Sequence, residues 1–97
     1  MEQNVNNIEN NIKEKLNKFV EQEITIIQDG FLKSKFSLNK VKFFIEYDIL
    51  NINDKESNNY LKINLNQIYK IENKEIEVKI YLDNDTEIIL KIKEDRQ

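Results

Sequence analysis

Residues 75–93 read EIEVKIYLDNDTEIILKIK, and their pattern sets the architecture expected of the whole chain. The apolar residues fall on even positions before the acidic turn, at Ile76, Val78, Ile80 and Leu82, and on even positions after it, at Ile88, Leu90 and Ile92. A period of two is that of a half-buried strand. Folding the segment about Asn84 sets Ile80 opposite Ile88, Val78 opposite Leu90 and Ile76 opposite Ile92 on one face. On the other face Glu77 meets Lys91 and Glu75 meets Lys93. A slip of one residue would destroy both matches, so apolar pairing and charge pairing support the same antiparallel hairpin independently.

The same arithmetic extends upstream. Asn73-Lys74 reads as a two-residue turn that places Ile71 opposite Ile76, Tyr69 opposite Val78 and Leu65 opposite Leu82, with Lys70 beside Glu77. Asp29-Gly30 suits the positive φ values of a type I′ turn and joins a strand over 23–28 to one over 31–38. Asn39-Lys40 then leads into 41–50, with Leu38 opposite Val41, Phe36 opposite Phe43 and Leu32 opposite Tyr47. Residues 51–59, polar apart from Ile52, read as a loop. The remaining strands are expected over 60–72, broken near 66, and over 75–82 and 86–93.

Ahead of the strands, Val5, Ile8, Ile12, Leu16, Phe19 and Val20 recur every three or four residues, the stripe of an amphipathic helix over about 4–21. Glu9 with Lys13 and Glu14 with Lys18 add i,i+4 ion pairs on its polar side. The expected fold is a single α+β domain over residues 1–97. Its N-terminal amphipathic helix packs on a six-stranded antiparallel meander sheet that has the option of curling into a partial barrel.

Composition narrows the function. The chain has no cysteine and no histidine, which removes disulfides, thiolate chemistry and the commonest general base and metal ligand. A net charge of -3 and lysines scattered among glutamates argue against nucleic acid as the main partner. No apolar run approaches a membrane span and the first residues are unlike a signal peptide, so a cytoplasmic protein is expected. The abundance of Asn, Ile and Lys, the absence of Ala and Pro, and a single arginine, Arg96, follow an AT-rich genome.

The acidic run Asp83, Asp85 and Glu87 with Glu94 mimics a calcium loop, but Ile88 stands where that loop needs glycine, so no metal is assigned. No serine has a base to activate it, no phosphate-cradling glycine stretch exists, and no cofactor or catalytic residue is expected.

The residues that break the one-face rule carry the functional reading. If Val41, Phe43, Ile45, Tyr47 and Ile49 form the core face of 41–50, then Phe44 and Leu50 point the other way, and Ile24, Ile26 and Phe31 join them by parity. An apolar patch of Ile24, Ile26, Phe31, Phe44 and Leu50 beside an unguarded edge at 23–28 is covered either by the chain's own helix, with the sheet curling over its other face, or by another protein or a second copy forming a homodimer. If the chain does not cover it, the patch marks an interface. The expected function is a non-catalytic protein-binding module, a small stoichiometric inhibitor of the anti-defence or immunity kind carried by a phage or mobile element. Alternatives are a structural homo-oligomer or a small-ligand or nucleotide binder, with Tyr47, Tyr60, Tyr69 and Tyr81 stacking on a base and Lys62 and Lys79 meeting phosphate.

Overall fold

The computed structural model describes the backbone of residues 2–30 and 33–93, and the side chains of 9–30 and 33–93. Helix α1 (Glu2–Leu16) ends in a 3-10 turn at Asn17–Phe19. Strands β1 (Ile24–Asp29), β2 (Ser34–Leu38), β3 (Val41–Glu46) and β4 (Ile49–Asp54) follow. After them come β5 (Tyr60–Asn64), a 3-10 turn at Leu65–Gln67, β6 (Ile68–Asn73), β7 (Glu77–Leu82) and β8 (Glu87–Ile92). All strand pairings are antiparallel, in a five-stranded sheet ordered β2-β1-β8-β7-β6 and a three-stranded sheet ordered β3-β4-β5.

The β7–β8 hairpin forms as its pattern requires, with Ile80 opposite Ile88, Val78 opposite Leu90 and Glu77 opposite Lys91. Upstream the turn is longer than two residues. Lys74 N–H bonds to the Glu77 carbonyl, and Ile71 pairs with Ile80 rather than Ile76. The shift is four residues, an even number, so Ile71 keeps its face. The irregularity between Ile68 and Lys70, however, turns Tyr69 outward, at 67% exposure, and puts Ile68 in the core in its place. The break near 66 is the 3-10 turn, where the Asn64 side chain accepts from the Asn66 N–H at 2.9 Å.

The single meander sheet is replaced by two sheets, for three reasons. First, Asn39-Lys40 is a corner and not a hairpin: Leu38 pairs with Ile24 and Phe36 with Ile26 in one sheet, while Val41 pairs with Asp54 and Phe43 with Ile52 in the other. Secondly, residues 41–50 are not one strand. Tyr47 and Asp48 adopt φ of 54° and 62°, a pair of left-handed residues that closes a tight hairpin, so β4 begins inside what reads as strand and loop. Thirdly, β1 pairs with β8, which makes β1 and β8 central and leaves β2 and β6 as the edges of the larger sheet.

Gly30 serves a different purpose from the expected type I′ turn. Its φ is not positive; a Cβ there would stand 2.8 Å from Thr86 Oγ1 and 3.2 Å from Thr86 Cα, so glycine is required by close approach to the β7–β8 turn.

One core lies between the sheets. Ile24, Ile26 and Leu38 meet Val78, Ile80, Ile88 and Leu90 in the larger sheet and Val41, Leu50, Ile52 and Ile63 from the smaller, and all of them are buried. From the helical segment Ile12, Leu16 and Phe19 join this core. The helical segment stops short of 21 because Val20 is already extended, at φ -60° and ψ 129°, and Glu21 then turns left-handed at φ 66°. The Val5 and Ile8 side chains lie outside the described residues. Glu9 and Lys13 pair at 3.8 Å, whereas Lys18 reaches across to Asn73 Oδ1 at 2.6 Å and to the Lys74 carbonyl, tying the helix end to the β6–β7 turn.

Candidate functional site: the outer face of the three-stranded sheet

Alternation along β3, β4 and β5 sends one set of side chains into the core and the other outward. The outward set forms a grid of three rows: Lys42, Asn53 and Tyr60; Phe44, Asn51 and Lys62; Glu46, Ile49 and Asn64. At its centre Asn51 is only 7% exposed, flanked by Phe44 and Lys62, with Nδ2 donating to the Ile49 carbonyl at 3.2 Å. Around it stand Phe44 at 43% exposure, Tyr60 at 59% and, on the hairpin tip, Tyr47 at 89%. The Lys62 ammonium lies 5.7 Å from the Tyr60 ring centroid, a cation–π distance.

Two shallow concavities share this face. One, of about 470 Å³, lies between Phe44, Asn53, Tyr60 and the loop residues Ser57–Asn59. The other, of about 440 Å³, is bounded by Glu46, Tyr47, Ile49 and Asn64. Among the described residues neither Lys42 nor Lys62 takes part in an ion pair.

Asp54 closes the first concavity from below and fixes its wall. Its carboxylate accepts four hydrogen bonds, from the N–H groups of Asn39 (3.0 Å), Lys40 (3.1 Å) and Glu56 (2.9 Å) and from Ser57 Oγ (2.8 Å). The backbone bonds from Asn39 and Glu56 lead in holding its pKa down at about 2. Its lone pairs are thus occupied, which makes it a clamp between the β2–β3 corner and the β4–β5 loop and a poor proton acceptor. Beside it Lys55 and Lys40 pair with Glu21, whose pKa the Lys55 contact lowers. This face can bind through aromatic contact, amide hydrogen bonds and two cations.

The outer face of the five-stranded sheet differs. Its rows are Ser37, Thr25, Lys91 and Glu77; Lys35, Ile27, Ile89, Lys79 and Glu72; and Asp29, Glu87, Tyr81 and Lys70. Charged residues of both signs surround a central half-buried apolar pair, Ile27 and Ile89, on this face. Tyr81 donates to Glu72 Oε1 at 2.9 Å, a bond that pushes the phenol up to about 12 and the carboxyl down.

The residues read from sequence as a docking patch are not brought together. Ile24, Ile26 and Leu50 are fully enclosed at 0% exposure, Phe44 stands on the outer face, and Phe31 lies outside the described residues. The cause is parity. The two-residue turn at Tyr47-Asp48 pairs Ile45 with Leu50, so even positions of β4 share the inner face with odd positions of β3. The Asn39-Lys40 corner likewise lets Ile24 and Val41 reach one core from different sheets. The edge expected at 23–28 is filled on both sides by β2 and β8.

The suggested base-stacking set is also divided. Tyr47, Tyr60 and Lys62 belong to the three-stranded sheet, whereas Tyr69 and Tyr81 lie 6.2 Å apart on the larger one, with Lys79 in its outer rows. Sequence reasoning missed the asparagines of the grid because 51–59 read as loop; the outward parity of Phe44 was the one signal that pointed to this face. No family model matches the chain, and neither curated proteins nor solved structures give a match. Among the described residues no helix is long and apolar enough to cross a membrane.

Proposed function

We propose that the chain is a non-catalytic protein-binding module that acts by covering a partner's surface with the outer face of β3–β5. One observation carries the reading: of the four large hydrophobic side chains that are exposed among the described residues, Phe44, Tyr47 and Tyr60 belong to this one small sheet and Tyr69 alone to the other. Tyrosine and phenylalanine set among asparagine and serine make a contact surface in which rigid aromatic anchors supply area and the amides adapt to the partner's polar groups. A stoichiometric inhibitor works by such occupancy and needs no reactive group.

The test is affinity capture from cells that carry the protein, with wild type, Phe44→Glu and Lys79→Glu compared. The reading requires a stoichiometric protein partner that survives Lys79→Glu and is lost with Phe44→Glu. Retention by Phe44→Glu, with loss on Lys79→Glu, would move the contact to the five-stranded sheet and end the proposal.

A second reading is favoured by Lys62 poised over Tyr60 beside the larger concavity, an arrangement that suits a nucleotide base with its phosphate. A bound nucleotide at a hundred times its dissociation constant would stabilise the fold by about 2.7 kcal/mol, so a thermal-shift series without any such gain removes it.

A further inference from the structure

Strand β3 has a free edge whose donors and acceptors can be assigned. Val41 N–H donates to the Gln22 carbonyl and Val41 C=O accepts from Glu21 N–H, so the polar groups of Val41 point away from β4. By alternation those of Phe43 and Ile45 point the same way, while those of Lys42, Phe44 and Glu46 bond to β4. Among the described residues the segment at 20–22 pairs with this edge only at Val41, and no strand pairs with Lys42–Glu46 there. Burial agrees: Phe43 and Ile45 face the core yet are only half-buried, whereas their cross-strand neighbours Ile52 and Leu50 are enclosed at 1% and 0%.

We propose that this edge pairs with the same edge of a second copy, antiparallel and centred on Phe44. In that register Phe43 lies opposite Ile45 of the other copy, and the two edge-facing residues exchange backbone hydrogen bonds on each side of the two-fold axis. On the outer face Phe44 meets its own counterpart, and Lys42 meets Glu46 twice over. Neither Lys42 nor Glu46 has an ion-pair partner within its own chain among the described residues. The charges that keep foreign strands off this edge thus neutralise each other in this one register.

The other edges do not match themselves in this way. β5, centred on its middle residue, sets Lys62 against Lys62; β2 carries Lys35 and no acid; and β6 is interrupted by the irregularity between Ile68 and Lys70. Pairing through β3 would join two three-stranded sheets into six strands and set the two aromatic grids side by side. A short strand pair buries less than the ~1,200 Å² of a stable interface, so the dimer exchanges with monomer and depends on concentration. This inference goes beyond the protein-binding reading and does not rest on it: a dimer without a foreign partner, or the reverse, separates the two.

The absence of cysteine supplies a clean test. Opposed residues at a non-hydrogen-bonded antiparallel position have Cα atoms about 4.5 Å apart, within disulfide reach. Phe44→Cys oxidised with diamide should therefore cross-link roughly tenfold faster than Ser37→Cys on exposed β2, proximity raising the effective concentration. Equal rates overturn the proposal. In the cysteine-free chain, followed by sedimentation velocity up to about millimolar, Lys42→Glu should weaken dimerisation roughly tenfold and Lys42→Glu with Glu46→Lys should restore it. A monomer at every concentration, or a double variant no better than the single one, also overturns it.

Discussion

Replacing Ile26 by alanine separates an interior β1 from a docking strand. Ile26 is 0% exposed and lies between Phe36 of β2 and Leu90 of β8. The substitution removes three carbon groups, about 2.4 kcal/mol of transfer free energy at ~0.8 kcal/mol each. A cavity walled by two flanking strands relaxes little, so the full cost should fall at about 3–4 kcal/mol, inside the range for buried Ile→Ala. For a domain of this size that lowers Tm by roughly 12–30 °C. With a urea m-value of ~1.5 kcal/mol per M, the midpoint falls by about 2–2.7 M. Phe44→Ala, made in parallel, should cost under about 1 kcal/mol because the ring stands on the surface, yet it should abolish partner capture. Urea titration followed by circular dichroism reads both. The reasoning is refuted if Ile26→Ala costs less than Phe44→Ala, the order expected of a surface isoleucine.

Asp54→Ala should flatten the acid limb of the stability curve. The folded pKa of about 2 lies below the ordinary 3.8, so the ionised form favours the fold; this contribution is whole above about pH 4 and drains as pH falls through 2. Urea midpoints between pH 2 and 5 check it, and an unchanged slope in the variant speaks against the clamp. Tyr47→Asn with Asp48→Gly puts left-handed-tolerant residues where φ is 54° and 62° and should gain about 1 kcal/mol while weakening partner capture, since Tyr47 is 89% exposed. A loss of stability would contradict the turn geometry. Gly30→Ala should cost about 1–3 kcal/mol through contact with Thr86 at 2.8 Å, and a neutral melting temperature would show that the approach is not tight.

How much was legible depends on whether a signal was local. The β7–β8 hairpin could be read residue by residue because both of its faces carried a pattern, apolar on one side and charged on the other. The turn at Tyr47-Asp48 could not, since neither residue is glycine and the alternation of apolar residues at Val41, Phe43, Ile45, Tyr47 and Ile49 continues through it. That single omission reversed the face of Leu50. The Asn39-Lys40 corner looks like any polar turn; what makes it a corner is Asp54, fifteen residues beyond Asn39, drawing both N–H groups to one carboxylate. The pairing of β1 with β8 joins the first strand to the last and leaves no mark on nearby sequence. Of the site, Phe44 was visible as an exception to alternation, but the asparagines around it were read as the product of an AT-rich genome and a loop.

The central claim is that β1 is walled in by its own chain while β3 keeps an open edge, so that binding falls to the smaller sheet. Amide hydrogen exchange on dilute protein measures this strand by strand. The account predicts slow exchange at every consecutive amide from Thr25 to Gln28, and alternation in β3, with Lys42 and Phe44 slow and Phe43 and Ile45 fast. Alternation in β1, or uniform protection in β3, would contradict it.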